Sequence, residues 1–195
     1  MNLSLAILTG GKSKRFGMNK CAYKIEGKTM MEWVFESVAS LFDEVLFVGN
    51  SSQTLNGRNI SDIHSDKGPV GGLESALVHA RNEYIFLTAC DMPFISKPVV
   101  KRMIDKLDGQ NVLCPFIDGK YQTTHAIYSK DVLNIVEMEL KREKSTLTHV
   151  VLTSENVKFL KEEDFFDIEG YKKSFENINS PQELQNFVER ISNLR

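Results

Sequence analysis

Apolar residues gather in short blocks along this chain, and the blocks alternate between two periods. Leu3 to Thr9 is almost continuously apolar and reads as a buried strand. After a glycine-rich stretch, Thr29 to Leu41 places Met30, Val34, Val38 and Leu41 on one helical face. EVLFV at 44–48 is a second strand closed by Gly49 and Asn50, and Asn59 to Ile63 is a short third. Gly68-Pro69 marks a turn, after which Val70 to Arg81 returns to helical spacing, with Leu73, Leu77 and Ala80 inward. EYIFLTAC at 83–90 carries the strongest strand signal in the chain; it ends on Asp91, and Pro93 stops it. Lys97 to Leu107 is a helix with Pro98 in its first turn.

The second half changes pattern. Asn111 to Phe116 and Tyr121 to Tyr128 read as strands joined by the turn signal Asp118-Gly119. Lys130 to Lys141 and Ser145 to Leu152 read as helices, and Val157 to Leu160 and Ser174 to Ile178 as late strands. Ser180-Pro181 opens a last helix, Gln182 to Ile191, with serine as N-cap and proline in the first turn. The alternation of strand and helix predicts an α/β fold with a mainly parallel, doubly wound sheet covered on both faces. The hairpin near residue 118 adds an antiparallel insertion. With no internal repeat, low-complexity tract or linker, residues 1–195 read as a single domain.

Composition narrows the partners. The 195 residues suffice for a sizeable core, and 42% hydrophobic with 26% charged residues matches an ordinary soluble globular protein. A net charge of −2 gives the whole molecule no pull toward nucleic acid or an anionic membrane, so any basic site is local. No apolar run approaches the roughly 20 residues of a membrane span, and Leu3 to Leu8 is too short for a signal peptide. Three widely spaced cysteines, Cys21, Cys90 and Cys114, argue against a disulfide framework and against a CxxC zinc site. They predict a reduced, cytoplasmic protein.

The candidate chemistry begins with LTGGKSKRFG at 8–17, at the end of the first strand. In an open α/β sheet, ligands bind outside the carboxyl ends of the strands. Paired glycines let backbone approach a phosphate, successive N–H groups form an anion-binding concavity, and Lys12, Lys14, Arg15 and Lys20 add charge. The stretch is not a P-loop: Gly11 and Gly17 stand one residue too far apart, and Met18 follows Gly17 where lysine is required. It does not fit G-x-G-x-x-G either. The plain alternative is a solvated basic loop.

Leu8, Gly10, Gly11, Ser13, Arg15, Gly17 and Lys20 match the nucleotidyltransferase opening L-x-G-G-x-S-x-R-x-G-x-x-K. Within that superfamily the chain most resembles the molybdenum cofactor guanylyltransferase (MobA) family. GPVGGLESAL at 68–77 is similar to its GPLAG-type turn and helix, TACDMPFI at 88–95 to its C-D-x-P-[FY] strand end, and NINSPQEL at 177–184 to its closing N-x-N-[ST]-P-x-[ED]-L. The four stretches keep the family's order from residue 5 to 184. Thr9 stands where alanine is more usual, Phe16 where leucine or methionine is, and Asn19 where aspartate is.

The resemblance implies a Rossmann-like fold of the nucleotide-diphospho-sugar transferase type. It implies Mg2+-dependent transfer of GMP from GTP to the phosphate of molybdopterin, with release of pyrophosphate. It also implies meetings with proteins that synthesise or receive the pterin. Such a reaction needs no general base, because phosphate is already ionised near neutral pH. Its demand is to neutralise like charges and to position the reactants. Lys20 and Arg15 are the cations expected on the triphosphate, although Arg15 equally suits a structural ion pair. Asp91 is the expected Mg2+ ligand, with a turn-capping aspartate as the alternative. Leu8, Thr9, Gly10 and Gly11 are expected along the nucleotide. Asp62, six residues before Gly68, is the first choice for the guanine base, and Asp66 the second. Gly71 and Gly72 suit either an anion-binding helix start or close packing. Asn177 and Asn179, read on one strand, are expected on the pterin side or else in a turn and cap.

His64, His79, His125 and His149 lack metal-ligand spacing and read as ordinary histidines, with His125 a candidate lining of the acceptor pocket. Cys90 reads as a small buried side chain. Two other functions compete. One is a cytidylyltransferase acting on molybdopterin or another phosphorylated acceptor; GPVGG and NINSP favour the guanylyl branch. The other is a non-catalytic GTP-binding or cofactor-delivery module, supported only by Asn19.

Overall fold

The computed structural model describes residues 2–10, 21, 23–49, 54–180, 182, 183 and 185. The apolar block Leu3–Leu8 forms β1, buried along its whole length. A small hairpin follows, β2 (Lys24–Ile25) paired with β3 (Lys28–Thr29). Thr29 then caps α1 (Met30–Val38): its hydroxyl accepts from Glu32 N–H at 3.1 Å while Glu32 Oε2 accepts from Thr29 N–H at 2.6 Å. Strands β4 (Glu44–Val48) and β5 (Arg58–Ile60), helix α2 (Gly68–His79), β6 (Tyr84–Ala89) and α3 (Lys97–Asp105) complete the first half.

The second half contributes β7 (Val112–Ile117), β8 (Lys120–Tyr121), β9 (Ala126–Ser129), α4 (Leu133–Leu140), α5 (Leu147–Thr153) and β10 (Val157–Leu160). The large sheet runs β10-β7-β9-β6-β1-β4-β5, with β8 paired to β7. β1 is parallel to β4 and β6, β4 to β5, and β10 to β7. β9 is antiparallel to both β6 and β7. The mainly parallel sheet with an antiparallel insertion is as the sequence predicts.

One apolar layer joins Leu8, Leu46 and Leu87 of the sheet to Leu73 and Leu77 of α2, Val136 of α4 and Val150 of α5. The other joins Leu5, Ile7 and Phe86 to Val34 of α1 and Val99 and Met103 of α3. Both faces are covered, so the central strands are apolar on both sides and show no alternation.

Two expectations change. The predicted second hairpin strand splits into β8 and β9, because the chain turns at 122–125, where His125 N–H bonds the Gln122 carbonyl at 2.9 Å. The β7–β8 turn itself holds Asp118 and Gly119 at φ 49° and 72°, the geometry that Asp-Gly supplies. Ser174 to Ile178 is not a strand; Tyr171–Phe175 is a 3₁₀ turn that buries Ser174 and Phe175. Of the last helix, the described residues 182, 183 and 185 are helical, and Ser180 Oγ accepts from Glu183 N–H at 3.2 Å.

Candidate nucleotide site

Register assembles the site. Leu8 stands level with Val48 on one side and Ala89 on the other. The three parallel strands therefore end together, followed by Thr9-Gly10, Gly49 and Cys90-Asp91. Val48 is level with Ile60, so Ser61-Asp62 emerges at the same edge. Short bonds fix these ends: Thr9 N–H and hydroxyl both donate to the Val48 carbonyl, at 2.8 and 3.0 Å. Gly49 N–H bonds the Ile60 carbonyl at 2.8 Å and Cys90 N–H the Leu8 carbonyl at 3.0 Å.

Gly49 is required here. It sits at φ 125°, and a Cβ on it would meet Gly10 N at 2.8 Å and Thr9 Oγ1 at 3.0 Å. A methyl group on Gly10 would stand 3.7 Å from Asp62 Oδ2. Asp62 thus borders the backbone of Gly10, and burial raises its carboxyl above the ordinary value. Asp66 is exposed, at φ 62°.

Helix α2 holds the Asp62 segment from below. Ser75 Oγ accepts from Ile63 N–H at 2.9 Å and donates to the Gly71 carbonyl at 2.9 Å. Buried Glu74 lies 2.7 Å from His64 Nδ1. Gly71 and Gly72 resolve toward packing: a Cβ on Gly71 would stand 3.0 Å from the His64 carbonyl oxygen, and one on Gly72 would strike Leu8 Cδ2 at 2.5 Å. Glu74 and Ser75 escape sequence reading because they lie inside an otherwise apolar helix.

Asp91 is half-buried at the end of β6. Asn177 Nδ2 donates to Asp91 Oδ1 at 3.4 Å, and Ile178 N–H donates to the Asp91 carbonyl at 2.8 Å. Asn177 and Ile178 therefore dock on the turn that carries Asp91. Asn179, read on the same strand as Asn177, instead donates its N–H to Glu183 Oε2 as part of the helix cap. His125 does not line a pocket: it is fully buried, its ring 5.2 Å from that of Phe86 and 4.7 Å from that of Phe175. Lys20, Arg15 and Gly11, like Lys12 and Lys14, lie outside the described residues.

Among the described residues no three His, Cys, Asp or Glu side chains cluster as a metal centre. The half-buried Asp91 carboxylate at the strand ends is an oxygen donor of the kind Mg2+ takes together with substrate phosphates and waters. A cavity of about 570 Å³ lined by Phe42, Glu44, Arg58 and Arg81 lies at the opposite edge, where β4 and β5 begin. It shares no residue with the strand ends described above.

The cysteines correct the sequence reading. Cys21 and Cys90 are joined by a disulfide, and Cys114 is free and buried. An odd, dispersed cysteine count excludes a framework of bridges but not a single bridge closed by the fold.

Residues 5–157 match the model of the MobA-like NTP transferase domain. The chain belongs to that family. It is 34% identical over 195 residues to a protein of Natranaerobius thermophilus named probable molybdenum cofactor guanylyltransferase, with 94% of each chain covered. The crystal structure of molybdopterin-guanine dinucleotide biosynthesis protein A from Archaeoglobus fulgidus superposes with a TM-score of 0.83 at 27% identity, covering 97% of this chain and 99% of that one. The bifunctional IspDF of Campylobacter jejuni, at 15% identity and a TM-score of 0.72, covers 95% of this chain and 54% of that one and shows the shared fold. As a MobA-like NTP transferase, the chain places Gly10, Asp62 and Asp91 along the carboxyl edge of its sheet.

Proposed function

We propose that this protein transfers GMP from GTP to the terminal phosphate of molybdopterin and releases pyrophosphate. The observation that carries the reading is the level ending of β1, β4 and β6, which sets Gly10, with Asp62 beside it, one strand away from Asp91. The relatives named for this activity share nearly the full length of the chain.

The chain's own groups divide the work. The carboxylate of Asp62 accepts from the two adjacent N–H donors of guanine, a pattern that cytosine and adenine do not present. Burial strengthens that pairing by excluding water. The backbone of Leu8, Thr9, Gly10 and Gly11 lies along the nucleotide. Lys20 and Arg15 neutralise the triphosphate, whose repulsion of the incoming phosphate is the main barrier. Asp91, steadied by Asn177, holds Mg2+; the bound cation supplies Lewis-acid charge stabilisation at the phosphates. Asn179 keeps the closing segment in place beside the pterin. No side chain needs to remove a proton from the nucleophile. GTP supply sets the reaction in the cytoplasm, where the proteins that make or receive the pterin are its partners.

The test is pyrophosphate release from purified protein with Mg2+ and molybdopterin, with GTP, CTP and ATP compared. Turnover with GTP alone is expected. Turnover with CTP would move the protein to the cytidylyl branch, and GTP binding without turnover would indicate a delivery module. Asp91→Asn should abolish turnover in a folded protein.

A further inference from the structure

The disulfide joins two places that matter to the site. Cys90 directly precedes Asp91, and Cys21 directly follows Lys20, the last residue of the glycine-rich signature. Their Cα atoms lie 5.4 Å apart across 69 residues of sequence. Both are buried, at 4% and 6% exposure, within the apolar layer that includes Ile7 and Ile95. Cys21 Sγ also lies 3.3 Å from the Thr9 carbonyl oxygen, so a reduced thiol there has an acceptor ready. A Cys21 thiol released by reduction would thus have a partner without leaving its place.

We propose that Cys21 and Cys90 are a reversible oxidation site, whose closed form braces the Asp91 turn and tightens nucleotide binding. The link to nucleotide affinity rests on the transferase reading above; the oxidation site itself does not. In a reducing compartment a protein disulfide is usually transient, and serves catalysis or sensing. Bracing acts by pre-organisation: a turn already fixed loses less freedom when ligand binds.

The chemistry balances with a low-molecular-weight disulfide as oxidant. One cysteine thiolate attacks it, expels one thiol and forms a mixed disulfide. The second thiolate attacks the protein sulfur of that mixed disulfide and expels the other thiol. Two protons and two electrons leave the protein, and a dithiol reverses the sequence. Cys114 does not compete, because burial pushes its thiol up to about 12 and leaves it inert.

The full chain is equilibrated in mixtures of oxidised and reduced glutathione, alkylated after denaturation and weighed. The oxidised form should take one label, on Cys114, and the reduced form three. GTP affinity should fall roughly three- to tenfold on reduction, the scale of one or two groups re-ordered on binding. Amide exchange at Cys90 and Ile178, the two bonds that hold the turn, should quicken. Cys21→Ser and Cys90→Ala, each left with two cysteines, should show the reduced form's GTP affinity and Ile178 exchange whatever the glutathione ratio. Three labels at every ratio would overturn the oxidation site. A clean redox transition with unchanged exchange and GTP affinity would overturn the brace. Absence of GTP binding in both forms, with exchange still responding, would support the brace and overturn the transferase reading along with the affinity effect.

Discussion

Ser75 Oγ receives the Ile63 backbone N–H at 2.9 Å, so a helix side chain fixes the segment that carries Asp62. The same hydroxyl donates to the Gly71 carbonyl, which makes it a two-way tie between α2 and the segment that carries Asp62. Ser75→Ala leaves the Ile63 N–H without its partner. We expect a stability loss of about 1–2 kcal/mol and a several-fold rise in KM for GTP with kcat little changed. Urea unfolding and steady-state kinetics read the two effects; an unchanged KM would show that the tie does not position Asp62.

Asp62 should trade stability for binding. Its folded-state pKa is raised by burial, so ionisation is harder in the folded than in the unfolded chain. Above the ordinary carboxyl value this costs stability, and the cost lessens as pH falls through the raised value. Asp62→Asn should therefore raise the melting temperature at neutral pH and weaken GTP binding about tenfold, the scale of one charge-assisted pairing. A variant that is less stable yet binds GTP normally would remove Asp62 from base recognition.

Glu44 illustrates the opposite sign at the far edge of the sheet. Burial pushes its carboxyl up, but bonds from Arg81 N–H at 2.8 Å, Ser4 Oγ at 2.7 Å and Arg58 Nη1 at 2.6 Å outweigh it, and the net shift is downward. Its contribution is complete above the ordinary glutamate value and is lost as pH falls through the depressed one. Glu44→Gln should cost about 1–3 kcal/mol at neutral pH, because an amide cannot accept all three donors. Denaturation of both proteins near pH 7 and below about pH 4 should show the difference narrowing; a gap that stays constant would place the effect in packing rather than charge.

Most of the frame is readable from periodicity because the central strands and amphipathic helices are long. The β2–β3 hairpin is not, since two-residue strands carry no period, although Glu26-Gly27 supplies its turn at φ 50° and 83°. Ser174 to Ile178 reads as a strand, yet Tyr171–Phe175 winds into a 3₁₀ turn, and Ser174 Oγ ties that turn inward by accepting from Ser96 N–H at 2.9 Å. The place of Asp91 just beyond a strand end is legible in the apolar run before it. Its contact with Asn177 needed the tertiary fold, as did the pairing of Cys21 with Cys90, because no local pattern links residues so far apart.

His125 offers the sharpest test of the core. It is fully buried, neither ring nitrogen has a hydrogen-bond partner among the described residues, and Phe86 and Phe175 pack against the ring. Burial lowers its pKa from 6.5 to about 3. The unfolded chain therefore takes up a proton that the folded one refuses as pH falls from about 6.5 toward 3. Stability should decline across that window by up to about 1.4 kcal/mol per pH unit from this group alone. His125→Leu keeps an apolar side chain of similar size and removes both orphan nitrogens. We expect it to be neutral or more stable by about 1 kcal/mol at pH 7, since an unsatisfied polar group is lost. It should also flatten the acid limb of the stability curve. Chemical unfolding of both proteins at several pH values measures both effects. A variant destabilised by more than about 2 kcal/mol at pH 7 with the acid slope unchanged would mean that the ring nitrogens are engaged and that the imidazole has a task in the folded protein.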